Sequence, residues 1–292
     1  MANDSNTDVR SLTTPPPKTD FVRPGSIVRK IWADTELVLL IFAGSAAEFA
    51  LNRAVDWLFF TGKLPADPIG RLFTTVRYAQ EIVFAESEAA ERTLARINAI
   101  HGAVERERAL SIPDWAFRDV LYMLIDYSER AHNMLYRPLT PAEREELYHV
   151  FTRVGEGLNV KALPEGYEEW RADRRLHLRR DLEHSKHTAL LYGEYRRHLG
   201  EWRYQILLGV QALLVPERVR GLLRLRRRTI FSALVEGYGQ LVIPELRPLV
   251  RRLMVQPRYW DDVKKMERGP SEHAAPSNEA LLAADGASML LK

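Results

Sequence analysis

Apolar positions recur along this chain with the spacing of a helix, and almost nowhere with the period of two that marks a strand. Helix punctuation is frequent between residues 25 and 265. Asp67-Pro68 reads as a capping residue followed by a first-turn proline, and it opens a helix to about Phe84. Ser87 starts the next, to about Arg106, and Asp114 another, to about Tyr136. Thr140-Pro141-Ala142-Glu143 has the capping-box spacing, and that helix runs to about Glu156 with Gly157 at its end. Two long helices are expected to follow, from about Glu165 to Leu199 and from Glu201 to Leu214, with Pro216 and Pro244 punctuating the rest. The pattern predicts an all-α fold, a single domain of about eight to ten helices spanning residues 25–265 with no internal linker or repeat. Residues 1–24 are polar and Pro-rich and read as a disordered arm; residues 266–292 are rich in Ala, Ser, Gly and Pro and read as a flexible tail.

The most apolar stretch, Glu36 to Phe60, is long enough to cross a bilayer, but Gly44, Glu48, Asn52, Arg53 and Asp56 interrupt it. Charges there are costly in a membrane, so a buried core helix is expected. The N-terminal residues carry no apolar leader, which places the chain in the cytoplasm as an expectation. The composition narrows the chemistry. With 292 residues the chain can bury one large core, and its complete lack of cysteine excludes disulfide scaffolds, Cys-ligated zinc, iron–sulfur clusters, a cysteine nucleophile and a thiolate-bound heme. A heme would need another ligand, such as His. Forty-two Lys and Arg against 39 Asp and Glu leave a net charge of only +3, too small to imply nucleic acid. The basic runs Arg171–Arg180 and Leu223–Arg228 are interleaved with or flanked by acids such as Glu168, Asp173 and Asp181. A solvated face is expected there, with contact to an anionic membrane surface as the functional alternative.

One histidine stands out. In the helix SEAAERTLARINAIHGAVER, Ala90, Leu94, Ile97, His101 and Val104 form one stripe with steps of 4, 3, 4 and 3. An imidazole on an apolar face needs partners for its nitrogens. A backbone carbonyl would make His101 an ordinary core residue; a metal or heme iron would make it a ligand. Upstream, Arg71 and Thr75 lie four apart and share a helix face, from which they can reach a propionate, a bound oxygen or a substrate carbonyl, or simply pair at the surface. The pair His184 and His187, beside Asp181 and Glu194, has a weak metal-site spacing among Lys and Arg and reads as a solvated face. His132 reads as a polar-edge histidine of the central helix.

Three segments together resemble the family of oxygenase MpaB and latex-clearing protein (rubber oxygenase), which are b-type heme proteins. They are ADPIGRLFTTVRYAQEIVFAESEAAERTLARINAIHGAV (residues 66–104), DWAFRDVLYMLIDYSERAHNMLYRPLTPAEREELYHVFTRVGEGLNV (114–160) and HLGEWRYQILLGVQALLVPERVRGLL (198–223). The resemblance covers about residues 26–250. It implies an all-α domain enclosing a heme b pocket, with His101 at the position of the axial ligand to the iron and Arg71 and Thr75 beside the cofactor. It also implies dioxygen as co-substrate and a hydrophobic prenyl, terpenoid or lipid-like substrate, oxidised or cleaved at a carbon–carbon double bond. The chain departs from the pattern in three places. Thr74 stands where rubber oxygenases carry a Lys that can ligate iron on the distal side. Thr61-Gly62 replaces a His-Ser pair of many relatives. No acid falls at the spacing of the rubber oxygenases' basic Glu; Asp56 lies one residue away and Glu48 is the next candidate for a proton acceptor. Rubber itself is not expected as substrate. The alternatives are a helical binding or adaptor protein that has lost heme chemistry, and a peripheral membrane-binding protein.

Overall fold

The computed structural model describes residues 19–55, 68–109, 111–227, 255, 257–261 and 263–264. The described residues form ten α-helices and no strand: α1 (Ile27–Ala33), α2 (Thr35–Phe49), α3 (Pro68–Phe84), α4 (Ser87–Arg108), α5 (Asp114–Leu135), α6 (Pro141–Gly157), α7 (Tyr167–Arg180), α8 (Lys186–Leu199), α9 (Glu201–Leu214) and α10 (Glu217–Leu222). A 3₁₀ turn, Pro257–Tyr259, follows. The fold is all-α, as the periodicity predicts.

Local chemistry sets many of the ends. Ser26 accepts from the Val28 amide at 3.0 Å to start α1, and Asp34 accepts from the Glu36 and Leu37 amides to start α2. Thr140 and Glu143 close a reciprocal capping box at α6, with Pro141 in the first turn. The expected helix from 165 to 199 is two helices. The chain breaks at Asp181–Ser185 because Ser185 caps α8 in a box with Thr188, and Leu182 pairs with Asn52 in an isolated antiparallel bridge. Buried Leu182 holds the turn down. Residues 19–24, read from sequence as the end of a loose arm, are seated on the α3–α4 junction. Phe21 and Val22 are buried, the Phe21 amide donates to Ala85 O at 2.9 Å, and Arg153 lies over the Phe21 ring.

Helix α2 is the centre of the bundle, lying against α5, α9 and α1. Its crossing with α5 is close at Gly44, where an added Cβ would land on the Tyr127 ring. Around it Trp32, Leu37, Ile41, Tyr122, Ile125, Leu147, Phe151 and Trp170 build the main core. The apolar stretch from Glu36 is thus a core helix that ends at Phe49 and turns at 50–55; its residues 56–60 lie outside the described residues. Among the described residues no helix is long and apolar enough to cross a membrane.

Candidate functional site

Helices α3 and α4 form an antiparallel hairpin. Arg96 of α4 bonds Glu81 of α3 at 2.6 Å and lies over the Tyr78 ring, 5.4 Å from its centroid. Counting back along both helices from this register places Arg71 and Thr75 level with the turn of α4 that carries His101 and Val104. Thr75 and Tyr78 are three apart on α3, and Tyr78 is the residue that meets α4. Thr75 is exposed, and the Arg71 side chain lies outside the described residues, as do Asp56 and Thr61-Gly62. Thr74 bonds the Gly70 carbonyl of its own helix at 3.1 Å.

His101 is half-buried, and its ring meets Phe117 of α5 with centroids 5.2 Å apart. The other face of α5 is different in character. Asp119 is two residues past Phe117, about 200° around the helix, and begins a buried stripe of Asp119, Tyr122 and Asp126. The structure therefore brings Arg71 and Thr75 to the level of His101, but it sets Glu48 across α5 from that histidine.

Glu48 is 1% exposed and has both oxygens engaged. Arg174 of α7 donates to them at 2.6 and 2.7 Å, and the Tyr127 hydroxyl donates at 2.9 Å. Arg174 also donates to Asp126 Oδ2 at 3.1 and 2.9 Å, and Arg130 to Asp126 Oδ1 at 2.7 Å. Burial pushes the Asp126 carboxyl up, but Arg130 and Arg174 outweigh it and hold the group below the ordinary carboxylate value. Burial works against the Arg174 charge too, and Glu48 and Asp126 more than offset it. Burial, with Glu48 adding to it, raises the Tyr127 phenol. Arg174 is thus a core residue, 4% exposed, where the basic run 171–180 reads as a solvated face. Arg171 and Arg180 do behave as that reading expects, pairing with Glu168 and Asp181.

The polar seam continues toward the α7–α8 break. Asn52 donates to Asp119 Oδ2 at 2.6 Å, and Nδ1 of His177 faces both Asp119 and Asp181, the latter at 3.1 Å. Nε2 of His177 lies 3.4 Å from Asp173, which accepts from the Tyr122 hydroxyl at 2.8 Å. Sequence reasoning missed Arg174, Asp126, Asp119 and His177. A signal was present: Tyr167, Trp170, Arg174 and His177 recur at steps of 3, 4 and 3, the spacing that singled out His101, and all four are buried. His132 is satisfied by the Arg137 carbonyl at 3.0 Å, and burial lowers its pKa, as befits an uncharged edge histidine.

An apolar cavity of about 120 Å³ lies between α2, α3, α8 and α9, lined by Phe42, Ala46, Ile69, Phe73, Tyr195 and Leu207 among others. Its wall on α3 is the face opposite Arg71 and Thr75. It is smaller than the roughly 300 Å³ of ordinary ligand pockets.

Comparison with curated proteins and with solved structures gives no significant match. A comparison with protein families does: residues 30–242 match the family described as ER-bound oxygenase mpaB/B'/Rubber oxygenase, catalytic domain. That span starts in α1 and takes in all the remaining α-helices, including the hairpin with Arg71, Thr75 and His101 and the seam centred on Arg174. The chain belongs to the mpaB/rubber oxygenase family, and its helical bundle is an oxygenase catalytic domain.

Proposed function

We propose that this protein is a heme b-dependent oxygenase of hydrophobic, unsaturated small molecules, with His101 as the axial ligand of the iron. The observation that supports the reading is one juxtaposition. His101 stands half-buried on a helix of the family's catalytic domain, against the Phe117 ring, at the level of the neighbouring turn with Arg71 and Thr75. The donor chemistry fits. With no cysteine in the chain, imidazole is the natural iron ligand here, and an aromatic wall beside it limits water. When bound, the heme supplies the activation of dioxygen.

The remaining work falls to the chain. Neutral His101 offers a ring nitrogen to iron, and Phe117 packs against the ring and limits its rotation. Arg71, always charged, is suited to anchor an anionic group at this level, and the Thr75 hydroxyl to donate or accept a single hydrogen bond there. With Thr74 where rubber oxygenases have a Lys, no ammonium competes at that position. Asp56 is the acid proposed to take a proton from an allylic carbon of the substrate. Glu48 fits a different part: with Arg174 and Tyr127 on its oxygens, it ties α2 to α5 and α7. A terpenoid, prenyl or lipid-like alkene is the partner proposed, and nucleic acid is not. We keep the cytoplasm as the proposed compartment, with peripheral membrane contact through Arg-rich helix faces as the route to lipid-like substrates.

Oxygen uptake tests the reading. Full-length protein reconstituted with hemin and offered a panel of terpenoids and unsaturated lipids should consume oxygen with at least one of them, and mass spectrometry should find oxygen incorporated at the double bond. Uptake no greater than that of free hemin across the panel would turn the assignment toward a non-catalytic binding protein.

A further inference from the structure

We propose that Asp119, His177 and Asp181 form a binding site for a first-row divalent cation, with Zn²⁺ as the natural probe, separate from any heme. The three residues are buried, at 2%, 2% and 5% exposure, and their donor atoms all lie within 4.8 Å of one another. The set is mixed, one imidazole nitrogen and two carboxylate oxygens, as zinc, manganese and cobalt sites use. In a tetrahedral site with bonds of about 2.0–2.2 Å, donors stand about 3.3–3.6 Å apart. The Nδ1 of His177 and the nearest oxygen of Asp181 are already 3.1 Å apart. Three protein donors leave one tetrahedral position for water.

The arrangement around the imidazole points to a cation independently of the cluster itself. Both Asp119 and Asp181 face the same ring nitrogen, Nδ1. A nitrogen carries at most one proton, so a single N–H must serve two buried carboxylates, whereas one cation would bind both and the nitrogen lone pair together. The other ring nitrogen lies 3.4 Å from Asp173 and 3.5 Å from Arg180 Nη2, so Asp173 is the acceptor within reach for its N–H when Nδ1 binds a metal. The ligand oxygens are steadied in turn. Asn52 donates to Asp119, and Arg180 grips Asp181 with two hydrogen bonds of 2.6 and 2.7 Å. Charge follows the same direction: three carboxylates (Asp119, Asp173, Asp181) against one guanidinium (Arg180) leave two negative charges. A divalent ion over neutral imidazole balances them.

Backbone geometry makes the site rigid and reachable. The Asn52–Leu182 bridge, with the Arg53 amide on Asp181 O at 2.9 Å and the Glu183 amide on Leu51 O at 2.8 Å, staples the turn after α2 to the turn after α7. A cation there would join α5 to the end of α7. The site lies one side chain below the surface, under Asp173 and Arg180, whose side chains are 31% and 56% exposed. Asp181 is the C-terminal cap of α7, one turn past His177, so both stand on one helix face.

The test uses full-length protein with its heme in place, equilibrated with Zn²⁺, freed of loose ions by gel filtration, and analysed for zinc and iron by mass spectrometry. The expected result is about one zinc per chain in the wild type, at least a tenfold loss in Asp119→Asn, Asp181→Asn and His177→Ala, and full retention in His101→Ala. Zinc should also raise the wild-type melting temperature. Circular dichroism identifies which variants are folded, and zinc loss is scored in those. Because His101→Ala separates iron from zinc, failure of the heme assignment leaves this measurement intact. A wild type that retains no zinc and gains no stability from it, or folded Asn variants that retain as much zinc as wild type, would overturn the proposal and leave these residues as a hydrogen-bonded seam.

Discussion

Arg174→Met removes one guanidinium from the centre of the bundle while keeping most of the apolar stem. Glu48 loses the cation on its oxygens, and Asp126 keeps only Arg130 of its two. Glu48 is 1% exposed and Asp126 8%, so water cannot replace what the arginine supplied. Four donor contacts disappear at once, two to Glu48 and two to Asp126. Breaking a buried ion pair from one side costs about 3–5 kcal/mol, and the stranded Glu48 carboxylate places this variant in that range. For a domain of this size the melting temperature should fall by roughly 6–20 °C. Urea unfolding at neutral pH, followed by tryptophan fluorescence, reads the loss directly. The double variant Glu48→Gln with Arg174→Met removes part of the stranded charge and should recover a measurable share, giving a coupling of about 1–3 kcal/mol. A loss below about 1 kcal/mol for Arg174→Met would refute the reasoning, since only a solvated, surface-like pair costs so little.

Two further outcomes follow from the same region. Gly44→Ala should destabilise by about 1–3 kcal/mol by urea unfolding, because the new methyl lands on the Tyr127 ring and the ring cannot move without leaving Glu48; an unchanged midpoint would show that α2 and α5 can separate at no cost. Acid stability should depend on Asp126, whose folded value lies below its ordinary 3.8 because Arg130 and Arg174 outweigh the effect of burial. A depressed carboxyl contributes stability that is present above its unfolded value and is lost as pH falls through the folded one. Below about pH 4, therefore, wild type should lose stability more steeply than Asp126→Asn, and parallel acid curves would contradict the assignment.

Helix content was readable from sequence wherever a local cap or proline stood at an end. Pro68 and Pro141 stand in the first turns of α3 and α6 as expected, whereas Ser87, read as a cap, and Asp114 are the first helical residues of α4 and α5, whose N-caps Glu86 and Pro113 make no side-chain capping bond. The break at 181–185 was missed although Ser185 offers a local cap for α8, because the other half of it, the turn at Leu182, is held by Asn52, more than a hundred residues away. The same distance problem hides the polar seam. Glu48, Asp126 and Arg174 lie on three helices, and nothing local in any of them says which charge will be buried against which. What was legible is subtler: a charged residue sitting in a buried stripe, as Arg174 does between Trp170 and His177, signals an internal partner. His101, Arg71 and Thr75 were singled out from the stripe, the shared helix face and the family resemblance, and the hairpin register set by Arg96 puts them at one level of the α3–α4 hairpin.

The central claim is that His101 holds heme iron, and optical titration with hemin tests it most directly. Wild-type protein should bind about one heme and show a sharp Soret band with the ferrous and ferric features of nitrogen ligation. His101→Ala should lose most of that band while keeping its far-ultraviolet dichroism, and added imidazole should restore part of it. Equal heme binding and identical spectra in the two proteins would contradict the claim.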